Sequence, residues 1–478
     1  MEVDDFETAT AAFLAWLSRL GIQISPKIAI ADLRSSGKNR GAVAVADIEE
    51  DEILFTIPRS SVFNTNTALN DSQLSFLRDA VAEMPSWLAL TSAMLVEAAR
   101  KESKWAPYFA ILPQHLDSLV FWKDTELSEL QASMVAKKIG KATAEEMFKH
   151  HIAPLGIENA SPTMCHKVAS VIMAYAFDIP EIADKEDNED QDEDAEELVS
   201  DDGNGEKTIL SIVPLADILN ADADRNNARL CCDNEDLEMR AIRHISDGDE
   251  IFNDYGQLPR SDLLRRYGYL TDNYAVYDVA ELSTHAILSQ FRAREALHFP
   301  GHQALEPLPL PDLNKRIELA QREAIYEDAY DLSHPDSDGP SIPDELLALL
   351  YILLLDNENL AAIKASEIAL PSRSKLSTGL VGQVLIKLLE LREREYATTL
   401  EEDELILQSK NLPHRKAMAV QVRHGEKQVL RKAIQEAATF TASDKRMRGQ
   451  KRENEVVASG TKRRQHQTDG DNKKARKR

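Results

Sequence analysis

Three short segments hold the side chains best suited to chemistry. Pro214-Leu-Ala-Asp217-Ile-Leu-Asn220 and Glu250-Ile-Phe-Asn-Asp-Tyr255-Gly256 each set polar groups directly after an apolar run, where an element ends and delivers its side chains into a pocket. Asn220 can donate and accept at once, so it can fix both parts of an amino-acid group, although an isolated Asn also reads as a turn or helix cap. Tyr255 brings a phenol, and Gly256 behind it lets backbone approach closely. The third segment, Lys38-Asn39-Arg40-Gly41, places a glycine turn beside a strand edge and so offers unpaired backbone donors and acceptors. Singly these are ordinary features: such turns are common, and a tyrosine on an apolar strand is usually a core ring.

Further aromatic groups fall near them. Twelve residues after Tyr255 comes Tyr267-Gly268-Tyr269, inside Leu263-Leu-Arg-Arg-Tyr-Gly-Tyr-Leu270. Tyr175 lies in Ala174-Tyr-Ala-Phe-Asp178-Ile-Pro180, and Trp105 in Lys104-Trp-Ala-Pro-Tyr-Phe109; both also fit as core aromatics. His150, His151, Cys165 and His166 do not fall at zinc-ligand spacing, so no metal is expected. No serine sits in a Gly-x-Ser-x-Gly elbow, which leaves acyl transfer without support.

The chain that must position these groups has 478 residues, 43% of them hydrophobic, enough to bury a large core in two or three domains. Residues 6–20 carry Phe6, Phe13, Trp16, Leu17 and Leu20 at helical spacing, stopped by Gly21. From Ile28 to Pro58 short β-branched stretches predict small strands. Residues 67–180 return to helical periods, Ile209 to Tyr277 read as strand-like, and helical patterns dominate from there to about Phe440. Strands split by a helical insertion and followed by helices predict one mixed and one all-helical domain.

Charge narrows the partners. The net charge of -25 argues against general nucleic-acid binding by the folded body and for attraction to a basic partner. Residues 184–206 are nearly all Asp, Glu, Asn and Gly, which predicts a solvated, disordered loop, one that can also concentrate a basic substrate. After Thr441 the chain turns basic and polar; Lys462-Arg-Arg464 and Lys473-Lys-Ala-Arg-Lys-Arg478 resemble a bipartite nuclear import signal. Cys165, Cys231 and Cys232 are an odd, sparse set that suits a reducing compartment. The run from Leu346 to Leu355 is half a membrane span, and the acidic N-terminus does not read as a signal peptide.

Taken together, Gly41 through Pro58, Asp217 to Asn220, and Glu250 to Gly256 resemble the three signature segments of SET-domain protein-lysine methyltransferases. Arg415-Lys-Ala-Met-Ala-Val-Gln-Val-Arg423-His-Gly-Glu-Lys427 resembles the late part of the Rubisco-methyltransferase-like group. The resemblance spans about residues 21–440. It implies an α+β fold: an N-terminal helix (1–20), a SET domain of small β-sheets with a helical insertion (21–275, insertion about 67–180), an all-helical substrate-binding domain (276–440) and a disordered basic tail (441–478). It implies S-adenosyl-L-methionine as cofactor, held by Lys38, Asn39, Arg40, Tyr175, Asn220, Ala221 and Tyr267. Tyr255 takes the catalytic role, and Trp105 and Asp178 face the substrate peptide. Ala221 stands where the family has His, so only a backbone contact is expected there. Tyr255-Gly-Gln257, the acidic insertion and the basic tail resemble a fungal ribosomal-lysine subfamily, which implies a basic large-subunit ribosomal protein as substrate and a nuclear location, possibly also cytoplasmic. The alternatives are a non-catalytic acidic escort of such a protein, or an enzyme acting on a chromatin or signalling protein.

Overall fold

The computed structural model describes residues 5–113, 115–181, 207–232, 235–334, 339–365 and 370–448. The acidic segment 184–206 and the basic clusters beyond 448 lie outside the described residues. The first helix, Asp5–Arg19, buries Phe13, Trp16 and Leu17 along one face and ends at Gly21, whose φ of 81° supplies the left-handed turn.

The strands are short because each sheet only bridges a few apolar positions. They run β1 (Gln23–Ile24), β2 (Ile28–Asp32), β3 (Arg40–Ala44), β4 (Ile53–Pro58), β5 (Ala176–Pro180), β6 (Thr208–Ile212), β7 (Ala228–Cys231), β8 (Asp236–Ala241) and β9 (Glu250–Ile251). Among the described residues they form antiparallel sheets of order β1-β4-β8-β7, β2-β3-β9 and β5-β6. Alternation sets the faces: in β8, Leu237, Met239 and Ala241 are fully buried while Asp236, Glu238 and Arg240 point outward. Helices Ser86–Ala99, Ala106–Ile111 and Pro162–Tyr175 fill the insertion between β4 and β5.

Two segments depart from the periodicity. The helical stretch expected to run to residue 180 gives way to strand at Ala176, because β6 offers it a full ladder from Ala176↔Ile212 to Pro180↔Thr208. Within the strand-like stretch 209–277, Arg260–Tyr267 is a helix. Pro259 opens it, Leu263 and Leu264 bury on one side, and Gly268 closes it at φ 75°. A Cβ on Gly268 would lie 2.6 Å from the Ser118 amide nitrogen, so this helix end is pressed onto the insertion.

The C-terminal region is helical, with one addition: β10 (Val279–Ser283) pairs with β11 (Ala329–Ser333). Helix Asp344–Leu354 is buried on every side; Gly379–Glu393 packs against it, and His414–Ala437 packs against Gly379–Glu393. The last helix also reaches the SET side. Met418, Ala419 and Val422 join Leu119, Trp122, Leu130, Val135 and Leu264 in a small shared core. Polar ties reinforce this seam: Arg415 Nη2 to Asp117 Oδ1 at 2.8 Å, Lys416 Nζ to Glu129 Oε1 at 2.7 Å, and Ser133 Oγ to the buried Glu426 Oε1 at 2.6 Å. Burial pushes the Glu426 carboxyl up to about 7, against hydrogen bonds from Ser133 and Tyr396 that lower it. No helix among the described residues is long and apolar enough to cross a membrane.

Candidate active site

β3 is the hub. On one edge it pairs with β2, placing Asp32 opposite Arg40, and on the other with β9, placing Glu250 opposite Val43. The segment after Pro214 is then laid beside β9. The Asn253 amide donates to the Asn220 carbonyl at 2.9 Å, the Asp222 amide donates to the Asn253 carbonyl at 3.2 Å, and Ala221 bridges Asn253 in parallel. The route into this segment is strained: Leu215, 1% exposed, holds φ at 78°. A non-glycine residue there costs about 1–3 kcal/mol and persists only where its surroundings over-determine it.

The three sequence-derived segments meet at Asn220. Its Nδ2 donates to the Arg40 carbonyl at 3.3 Å and to Glu250 Oε1 at 2.8 Å, and Lys38 Nζ meets Glu250 Oε2 at 2.6 Å. Gly41 makes this approach possible: a Cβ there would lie 2.5 Å from Leu33 Cδ1 and 3.0 Å from Asn220 Nδ2. Asn39 offers its carbonyl to the Leu33 amide at 2.8 Å, which closes the turn. The Arg40 side chain faces elsewhere. Its guanidinium donates to Thr10 Oγ1 (3.0 Å), the Ile111 carbonyl (3.0 Å) and the Phe6 carbonyl (3.2 Å), and lies over the Phe6 ring. It clamps the first helix, and only its main chain faces Asn220.

The phenols form a second wall. Tyr255 and Tyr267 are stacked, ring centroids 4.4 Å apart and planes 6° from parallel, and Tyr269 meets Tyr267 edge-on at 6.3 Å. The Tyr255 hydroxyl donates to the Leu219 carbonyl at 3.3 Å, one residue before Asn220. Burial pushes the Tyr255 phenol well above its usual value, with Tyr269, Tyr267, Tyr175 and Asp217 adding to the shift, so it is neutral at physiological pH. Burial likewise raises Tyr175 and Tyr267 to about 12. Tyr175 ends the helix Pro162–Tyr175, close enough to Asp217 for that carboxyl to add to its shift.

Trp105 and Asp178 are placed differently. Trp105 is 7% exposed, its ring set edge-on to Trp16 (5.1 Å), Phe63 (5.0 Å) and Tyr108 (5.7 Å), as a core aromatic would be. Asp178 is an exposed residue in mid-β5, opposite Leu210.

Sequence reasoning passed over a buried acid. Tyr108 donates to Asp217 Oδ2 at 2.6 Å, while Asp217 Oδ1 is buried without a partner. Burial raises the Asp217 carboxyl to about 7, despite the Tyr108 hydrogen bond that lowers it. The unfolded chain releases this proton near pH 4 and the folded chain near 7, so burying Asp217 costs progressively more stability as pH rises through that window. Asn at this position never ionises. Asp217→Asn is therefore expected to gain on the native protein by about 3 kcal/mol between pH 4.5 and 8. Urea midpoints at the two pH values measure this, and a difference that ignores pH would show the carboxyl to be an ordinary ionised one.

These residues fit the amino-acid end of a ligand such as S-adenosylmethionine. Among the described residues Asn220 Oδ1 accepts nothing from the protein, and the glycine cradle at Gly41 seats that amide against the turn at 38–40.

Residues 39–256 match the SET domain family, and residues 311–430 match the Rubisco LSMT substrate-binding family. Ribosomal lysine N-methyltransferase 4 of Saccharomyces cerevisiae is 34% identical over 369 residues, covering 74% of this chain and 73% of its own length. N-lysine methyltransferase SETD6 of Bos taurus is 26% identical over 467 residues, covering 90% of this chain and 96% of its own. The SET domain of LSMT bound to lysine and AdoHcy shares the fold, with a TM-score of 0.67 at 19% identity over 90% of this chain and 91% of that one.

Proposed function

Because the chain belongs to the SET-domain protein-lysine N-methyltransferases with a Rubisco LSMT-type substrate-binding region, we propose that its substrate is a lysine on a basic large-subunit ribosomal protein and that it works in the nucleus. The reaction class follows from the family: S-adenosylmethionine is the cofactor, and when bound it supplies a sulfonium methyl for in-line transfer to a lysine amine. Asn220, the main chain at 38–41 and Ala221, and the Tyr255–Tyr267 stack are the groups that would hold it.

The residues' task starts with the proton. Only a neutral amine is nucleophilic, and neutralising an ordinary lysine at pH 7 costs about 4.6 kcal/mol. Placing the amine against the buried rings of Tyr255, Tyr267 and Tyr269 would lower that cost by withdrawing water from the ammonium. Tyr255 is held neutral, so it does not take the proton; its hydroxyl, anchored on the Leu219 carbonyl, orients the amine. Holding the reacting atoms in near-attack geometry supplies part of the rate. The observation that carries this reading is the stacked tyrosine pair one hydrogen bond away from the Asn220 segment. The escort alternative needs none of this arrangement.

Two observations support the ribosomal substrate: the 34% identity to a protein named for ribosomal lysine methylation, and a net charge of -25 that attracts a basic partner. The basic clusters at 462–464 and 473–478 support nuclear entry. Mass spectrometry of ribosomal proteins from cells with and without this protein is the test. A methyl-lysine peptide from a large-subunit protein is expected to vanish without it. An unchanged ribosomal profile, with methylation lost instead from a chromatin or signalling protein, would redirect the assignment.

A further inference from the structure

Glu250 touches no expected reactant, yet both of its carboxylate oxygens are committed at the site. Oε2 takes the Lys38 ammonium at 2.6 Å, Oε1 takes the Asn220 amide at 2.8 Å, and its side chain is 17% exposed. Lys38 Nζ also sits 4.6 Å from the centre of the Phe252 ring, two residues along from Glu250. The backbone of Glu250 is fixed opposite Val43 in the β3–β9 ladder.

The two ends of an Asn amide are nearly alike in size and opposite in hydrogen-bonding character, so its orientation is set by what surrounds it. Around Asn220 both neighbours are pure acceptors: the Arg40 carbonyl at 3.3 Å and Glu250 Oε1 at 2.8 Å. The NH2 end must face them, which leaves Oδ1 as the end turned toward the ligand. The Arg40 contact is long, so the shorter charge-assisted bond to Glu250 governs the choice.

We infer that Glu250 is a positioning residue, which locks the Asn220 amide so that an acceptor, and not a donor, meets the ammonium of the cofactor's amino-acid arm. This rests on the reading of Asn220 as a cofactor contact. Glutamine at 250 removes the lock, because its own NH2 can donate to Oδ1 and stabilise the opposite orientation. The Asn220 donors would then face a cation.

Calorimetry on the full chain with two ligands tests this. S-adenosylhomocysteine carries the amino-acid arm; 5′-methylthioadenosine has the same nucleoside and sulfur without it. Glu250→Gln is expected to weaken S-adenosylhomocysteine at least about tenfold while 5′-methylthioadenosine stays within about twofold. In an Asn220→Ala background the Glu250→Gln loss is expected to disappear, since the amide it orients is gone. Unchanged S-adenosylhomocysteine binding in Glu250→Gln overturns the inference. So does parallel weakening of both ligands, failure of the variant to fold, or a loss that persists in the Asn220→Ala background, each of which makes Glu250 a structural prop. If Asn220→Ala alone leaves S-adenosylhomocysteine binding intact, the reading of Asn220 fails instead, and the inference falls with it.

Discussion

Tyr255→Phe is expected to lower kcat about a hundredfold and to leave cofactor affinity within about twofold. The substitution removes one oxygen and keeps the ring, so the 4.4 Å stack on Tyr267 survives. What is lost is the hydroxyl tethered to the Leu219 carbonyl, the group proposed to orient the amine. The pH profile separates this role from proton abstraction. Burial keeps the phenol neutral far above physiological pH, so the native and Phe enzymes are expected to have rate profiles of the same shape between pH 6.5 and 9.5, displaced by a constant factor. Single-turnover rates across that range decide it. Native turnover in the variant removes Tyr255 from the chemistry, and a limb that disappears from the profile makes it the base.

Asp403→Ala is expected to be the most destabilising single change in the C-terminal region. Asp403 is fully buried and receives Arg423 Nη2 at 2.9 Å, Lys427 Nζ at 2.5 Å and Thr398 Oγ1 at 2.8 Å. Burial pushes this carboxyl up, but the hydrogen bonds from Arg423, Lys427 and Thr398 outweigh it and hold it below its usual value. Arg423 and Lys427 are themselves 1% and 0% exposed. Removing Asp403 strips the buried Lys427 of its carboxylate and leaves Arg423 with Glu129 alone, which costs about 3–5 kcal/mol. The urea midpoint is expected to fall with the slope unchanged. A shift under about 1 kcal/mol would mean that water reaches the cations once the carboxylate is gone. Because Asp403 neither touches nor approaches the tyrosine wall in the hydrogen-bond network, kcat at low temperature should stay near native.

The parts of the site carried by local runs could be read from the sequence. Asn220 after its apolar turn and the twelve-residue interval from Tyr255 to Tyr267 mark positions that the fold does bring together. Pairings between distant residues could not. Lys38 and Glu250 are 212 positions apart, Tyr108 and Asp217 are 109 apart, and nothing local to any of them announces the partner. The same reason explains β5: Ala176-Phe-Asp-Ile-Pro180 continues an apolar helix, and only the ladder from β6, beyond the acidic segment, makes it a strand. β10 and β11 are likewise separated by some helical chain before they pair. Arg260–Tyr267 was legible in principle, since Pro259 and Gly268 bracket it, but the surrounding β-branched stretches masked its period. Arg40 shows the opposite case, a motif residue whose backbone serves the site while its side chain serves the first helix.

The long helix His414–Ala437 crosses the seam with no room to spare. At Gly425 a single added carbon would lie 1.8 Å from Asp278 Oδ2 and 2.5 Å from Arg260 Nη2, the ion pair that begins the helix ending in Tyr267. Two families recognisable as separate stretches of sequence are thus one unit of stability. A truncated enzyme stopping after residue 413 would strand Leu119, Trp122, Leu130 and Leu264 in water and strip the cover from Arg260 and Asp278. The stacked tyrosines proposed to orient the lysine would lose their footing, although every residue of them had been kept.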